Sequence, residues 1–206
     1  MSKLQAGEPV LMPNQDLPFN GDIYVAAEFL KLQGKYNITC AIELGSCVMG
    51  STKWLSENFN SVLTVEIVEQ YRNIGLARCQ GIRNIKSWLG DSVKMLPQMI
   101  SECSGESILI FIDSHWEQHF PLMEELELIA QAKITPVIIV HDCLVPCQRE
   151  LGYDSYNNVD ISFENMKPYL DKIYGSELGY GYHYNTNELS TEVKRGVIYI
   201  YPVKHI

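Results

Sequence analysis

The chain has 206 residues, 46% hydrophobic and 20% charged, with a formal net charge of -9 and a pI near 5.0. This ordinary globular composition predicts one domain over residues 1–206. The negative balance excludes an extended phosphate-binding surface, no apolar run approaches a membrane span, and no secretion signal opens the chain; the expectation is a cytoplasmic protein without nucleic-acid or membrane partners.

Residues 1–21 carry three prolines and no sustained period, so they read as an irregular arm. Its apolar members Val10, Leu11 and Phe19 are expected to pack on the domain or on a second subunit, which would make the protein a homo-oligomer. From residue 23 apolar side chains recur at helical intervals (Ile23, Ala26, Ala27, Phe29, Leu30), and Gly34 is a stop signal.

The chain then alternates. Apolar runs at 39–44, 61–65, 85–89, 108–112 and 137–140 predict strands, and segments 53–58, 69–80, 93–102 and 117–132 predict helices. Continuous apolar strands between helices indicate a parallel sheet covered on both faces, the doubly wound α/β class. A helix near 163–173 follows. The strand-like runs 179–185 and 196–201 suggest a hairpin and hence an antiparallel last strand. Six cysteines, at 40, 47, 79, 103, 143 and 147, match no zinc spacing and are expected as small buried apolar residues, Cys143 and Cys147 being the nearest pair.

In open α/β sheets ligands bind beyond the carboxyl ends of the strands. The first tip, AIELGSCVMGST, places Glu43 before a turn in which Gly45 and Gly50 allow close approach and Ser51 or Thr52 can cap a helix. Glu66, at the second tip, is spaced to accept hydrogen bonds from an adenosine ribose, or is a solvated helix start beside Glu69. Asp91, before Ser92 at the third tip, reads equally as a helix cap or as an acceptor for an adenine amino group. The fourth tip, FIDSHWEQHF, carries Asp113, His115 and His119. The fifth, VIIVHDC, carries His141 and Asp142, and adjacent strands would bring Asp113 and Asp142 together.

Over roughly residues 22–202 these motifs resemble the class I S-adenosylmethionine-dependent methyltransferases, within them the branch that groups macrocin O-methyltransferases with cephalosporin hydroxylase-like proteins. That resemblance implies a Rossmann-like seven-stranded sheet in the order 3-2-1-4-5-7-6, the last strand antiparallel, with helices on both faces. It implies Glu43, Gly45 and Gly50 around the methionine moiety of the cofactor, Glu66 at the ribose, Asp91 and Ser92 at the adenine, and Asp113 facing the cofactor. The match departs in three places: one extra residue between Gly45 and Gly50, one fewer between Asp113 and His115, and Cys143 where catechol-type relatives place a metal-binding asparagine or aspartate.

Methyl transfer to a hydroxyl needs alignment and loss of the hydroxyl proton. His115 suits the base; Asp113 and Asp142 suit a Mg²⁺ site, completed by water, acceptor oxygens, Glu150 or Asp154. The catalytic set is then His115, Asp113 and Asp142, with His119 in a supporting role, a helical turn beyond His115. The long loop 143–160, with Tyr153, Asp154 and Tyr156, is the expected acceptor cover. The leading expectation is an O-methyltransferase acting on a small hydroxylated molecule such as a sugar or phenol. A metal-dependent hydrolase or hydroxylase and a non-catalytic binding module remain open beside it.

Overall fold

A computed structural model describes residues 14–115, 118–186 and 194–203. Seven strands, β1 (Cys40–Leu44), β2 (Ser61–Glu66), β3 (Ile85–Leu89), β4 (Ile108–Ile112), β5 (Val137–His141), β8 (Tyr180–Tyr184) and β9 (Val197–Pro202), form one sheet in the order β3-β2-β1-β4-β5-β9-β8. The first five are mutually parallel; β9 runs antiparallel to both β5 and β8. With the two-residue strands β6 (Ser155–Tyr156) and β7 (Val159–Asp160) set aside, this is the expected order. Helices α1 (Ile23–Tyr36), α2 (Gly50–Asn58), α3 (Glu69–Arg78), α4 (Ser92–Glu102), α5 (Leu122–Gln131) and α6 (Phe163–Tyr174) surround the sheet. None among the described residues is long and apolar enough to cross a membrane.

The two-residue period of the strands divides the core. Cys40, Ile42 and Leu44 of β1, Ile108, Ile110 and Ile112 of β4, and Ile138 and Val140 of β5 face one layer, against Leu96 and Met99 of α4, Leu126 of α5 and Leu170 of α6. Ala41, Leu109, Phe111, Val137 and Ile139 face the other, against Phe29 of α1 and Leu55 of α2. On this second face, the same parity carried to the strand ends places Glu43, Glu66, Asp113 and His141.

The described end of the arm, residues 14–21, is tied to its own domain. A 3-10 turn at Pro18–Gly21 buries Phe19 against Phe29, Trp54 and Phe111, and the Phe19 N–H donates to Ser51 Oγ at 2.8 Å. Val10 and Leu11 lie outside the described residues. Cys40 and Cys103 pair inside the core, their Cα atoms 6.6 Å apart, whereas Cys143 is free and buried and Cys147 free and exposed.

Three of the boundary differences have a clear local cause. Helix α1 runs past Gly34 to Tyr36 because Asn37 takes the left-handed closing position, φ 51°. Helix α2 starts at Gly50 with no side-chain cap; instead of capping, Ser51 accepts from the arm and Thr52 donates to buried Glu43. Helix α5 starts at Leu122 rather than 117, with Pro121 as its N-cap, since the residue before a proline avoids helical dihedrals. His119 therefore precedes the helix and is not one helical turn from His115.

Candidate active site at the carboxyl ends of the strands

A cavity of about 360 Å³ opens over the tips of β1, β2, β4 and β5, within the size range of small-molecule sites. Its walls include Glu43, Gly45, Gly50, Glu66, Ser92, Asp113, His115, His119 and Asp142, together with Leu17 and Phe19 of the arm. Asp91 stands just outside: it caps α4 by accepting from the Val93 N–H at 3.1 Å and pairs with Lys94, leaving Gly90 and Ser92 in the wall.

The β1–α2 turn is compressed against β4. A Cβ on Gly45, at φ 88°, would lie 2.3 Å from the Asp113 carbonyl oxygen, so only glycine lets the two tips meet. A Cβ on Gly50 would lie 2.8 Å from the Leu17 carbonyl oxygen; this glycine admits the arm. Within the turn Cys47 and Met49 are both left-handed, at φ 46° and 61°.

Two carboxylates hold this end. Glu43 accepts from the Thr52 hydroxyl and from Thr64 Oγ1, its register partner on β2, at 2.7 Å. Burial pushes its carboxyl up to about 7, against the lowering effect of those hydroxyls. Glu66 clasps the turn, accepting from the Cys47 N–H at 2.7 Å and the Val68 N–H at 2.8 Å; burial nevertheless raises its pKa. Ser46 Oγ is buried on the cavity wall with no partner among the described residues.

The other end is a dense ionic cluster. His115 Nε2 lies 2.9 Å from Asp142 Oδ2 and 3.9 Å from Asp113, while its buried Nδ1 has no hydrogen-bond partner among the described residues. His141 Nδ1 lies 3.0 Å from Asp142 Oδ1 and 3.7 Å from Asp113, as an ion pair rather than an aligned hydrogen bond. Burial lowers both imidazoles, but Asp142, through its bond to His115 and its charge beside His141, outweighs it together with the charge of Asp113; His115 ends above its ordinary value and His141 at about 9. Burial raises Asp142, yet His141, His115 and Arg195 together hold it well below the carboxylate range. Asp142 has φ 58°, a left-handed strand end that aspartate tolerates.

Arg195 closes the cluster, its Nε on Asp142 Oδ1 and its Nη2 on Asp154 Oδ1. Asp154 enters from the 143–160 loop, where Asn157 and Asn158 at positive φ turn the β6–β7 hairpin and Tyr156 stacks on Phe120. His141 carries no functional signal beyond its place at the fifth tip, and Arg195 lies outside all five. The signal for Arg195 is topological: an antiparallel β9 beside β5 begins where β5 ends, so the residues just before β9 stand at tip level.

Two donor sets come within metal-binding range of one another, Asp113–His141–Asp142 and His115–Asp142–Asp154. Their imidazoles suit a transition metal better than Mg²⁺. Both sets need Asp142, whose two oxygens are already engaged by Arg195 and the histidines, so as they stand these residues do not fit a divalent cation. Cys143, at the remaining position, is buried in the α4–α6 side of the core.

No protein-family model matches the chain, and no curated protein matches it in sequence. Solved structures do match its fold. A candidate O-methyltransferase from Klebsiella pneumoniae aligns with a TM-score of 0.61 at 17% identity, over 98% of this chain and 93% of that one. An O-methyltransferase from Bacillus cereus, in complex with SAH, gives 0.57 at 17% identity over 88% and 87%. The O-methyltransferase TomG from Streptomyces achromogenes, involved in tomaymycin synthesis and in complex with SAM, gives 0.58 at 12% identity over 95% and 82%. The chain has the Rossmann-like fold of these methyltransferases.

Proposed function

We propose that this protein is an S-adenosylmethionine-dependent O-methyltransferase acting on a small hydroxylated acceptor such as a sugar or a phenol. The observation that carries the proposal is one cavity with two chemical ends: Glu43, Ser46 and Glu66 around a glycine turn, and a histidine–carboxylate cluster across from them. Each Glu66 oxygen accepts one backbone N–H and keeps a lone pair, which suits the two ribose hydroxyls. Gly45 brings the turn close enough to Asp113 to form one wall, and the Ser46 hydroxyl, without a partner among the described residues, is a buried polar group that a ligand would satisfy.

When bound, the sulfonium would supply an electrophilic methyl group. The chain's own task is to align the acceptor and take its proton. His115, with Nε2–H donated to Asp142, leaves Nδ1 as the proton acceptor, and Asp142 fixes the tautomer and stabilises the imidazolium formed. Asp154 and Arg195 offer both an acceptor and a donor to a hydroxylated molecule.

The test is to incubate the protein with S-adenosylmethionine and a panel of sugars and phenols and follow S-adenosylhomocysteine formation. Transfer to an acceptor, lost about 10²- to 10⁴-fold in His115→Ala, is expected. Activity untouched by both His115→Ala and Asp142→Ala would refute the assignment.

A further inference from the structure

We propose that Arg195 is a built-in cation that takes the place of a divalent metal between Asp142 and Asp154. The guanidinium engages one oxygen of each carboxylate through two different nitrogens, a bridging geometry that suits its planar fork and that a point charge such as lysine cannot reproduce.

The backbone around Arg195 is shaped to hold it there. A Cβ on Gly196 would fall 1.9 Å from the Cys143 carbonyl oxygen, so the chain beside Arg195 approaches there only as glycine, and a Cβ on Gly152 would lie 2.9 Å from Arg195 Nη1, so a larger residue there would push on the guanidinium. The Gly152 N–H donates to the Lys194 carbonyl at 2.7 Å and the Gly196 N–H to the Gly152 carbonyl at 2.8 Å, which clamps the acceptor-side loop to the start of β9. The Asp154 N–H donates to the Asp142 carbonyl at 3.0 Å, which sets the two carboxylates side by side.

The remaining oxygens are also spoken for. Asp142 Oδ2 faces His115 Nε2 at 2.9 Å, and Asp154 Oδ2 lies 3.3 Å from the Tyr156 hydroxyl and 3.7 Å from His115. A divalent ion would have to displace the guanidinium and then sit beside it, like charge against like. Arg195 thus confers metal independence on the site and positions Asp142 for its bond to His115. This inference stands on the carboxylate cluster and holds whether or not the protein transfers a methyl group.

The probe is Mn²⁺ alone, followed by electron paramagnetic resonance of the free ion. Arg195→Ala is expected to bind Mn²⁺ at least about tenfold more tightly than the wild type, because the repelling charge is gone and two carboxylates are released. Adding Asp142→Asn should abolish that gain. Arg195→Lys, which keeps the charge without the fork, should fall between them and serves if the alanine variant does not fold. For the wild type alone, the melting temperature should be the same in EDTA as in millimolar Mn²⁺. Equal Mn²⁺ affinity in wild type and variants, including none in any, or a wild-type melting temperature raised by Mn²⁺, would overturn the proposal.

Discussion

His115 Nε2 lies 2.9 Å from Asp142 Oδ2 across 27 positions of sequence. The contact exists because β4 and β5 are parallel neighbours in register, Ile112 opposite Val140, so both tips end at one level. It leaves the imidazole with a raised pKa, Nε2 committed to Asp142 and the buried Nδ1 without a hydrogen-bond partner among the described residues.

A pH profile follows. With its pKa raised, His115 holds its proton below that value and becomes a base only above it. The acidic limb of kcat/KM should therefore lie above pH 6.5, the ordinary histidine value. Asp142→Asn removes the hydrogen-bonded charge that raises it, so the limb should move to lower pH while the maximal rate falls; a limb unmoved in that variant would separate His115 from catalysis.

Stability should depend on pH through two buried carboxyls. Glu43, and Glu125, whose Oε1 accepts from Ser114 Oγ at 2.7 Å, are both held up to about 7 from 4.5, chiefly by burial. A raised folded-state pKa means the native state binds the proton more tightly. That stabilisation is present in full below pH 4.5 and is lost as pH rises through about 7, on the order of a few kcal/mol per group. Urea unfolding across this window should show the decline, and Glu125→Gln should flatten it.

Two glycines at the same φ of 88° separate strain from contact. Gly81 has open space around its missing Cβ, so Gly81→Ala should cost only about 1–2 kcal/mol of left-handed strain. Gly45→Ala adds a collision with the Asp113 backbone and should cost more, together with weaker cofactor binding. Equal unfolding midpoints for the two variants would contradict the proposed packing of the turn.

The arm contributes to both stability and site. Phe19 is 2% exposed inside an aromatic cluster, and its removal to alanine should cost about 3–5 kcal/mol. Because Phe19 and Leu17 also line the cavity, Phe19→Ala should weaken ligand binding in calorimetry, whereas Leu17→Ala, at a residue 44% exposed, should leave stability nearly unchanged.

Much of the fold is legible because the central strands β1, β4 and β5 are buried throughout and read as nearly continuous apolar runs, β4 beginning and ending where its run does. The start of α5 is not, because a helical period continues through 117–121 while the dihedral restriction before Pro121 acts on the backbone alone. At the site, Glu43, Glu66, Asp113 and Asp142 announce themselves as polar residues closing apolar runs. Arg195 does not: it precedes a strand, and only the antiparallel pairing of β9 with β5 brings it to the tips. Asp91 illustrates a residue whose two roles share one sequence signal; the structure shows it as a helix cap.

In the proposed function, the β1–β2 end of the cavity holds S-adenosylmethionine through Glu66. Calorimetric titration of the purified chain with S-adenosylmethionine and S-adenosylhomocysteine, in EDTA, tests it most directly. Binding of both without metal is expected, weakened about ten- to a hundredfold in Glu66→Ala by loss of charged hydrogen bonds to the ribose. Binding of neither ligand, or equal affinity in Glu66→Ala, would contradict the claim and return the chain to the metal-dependent or binding-module alternatives.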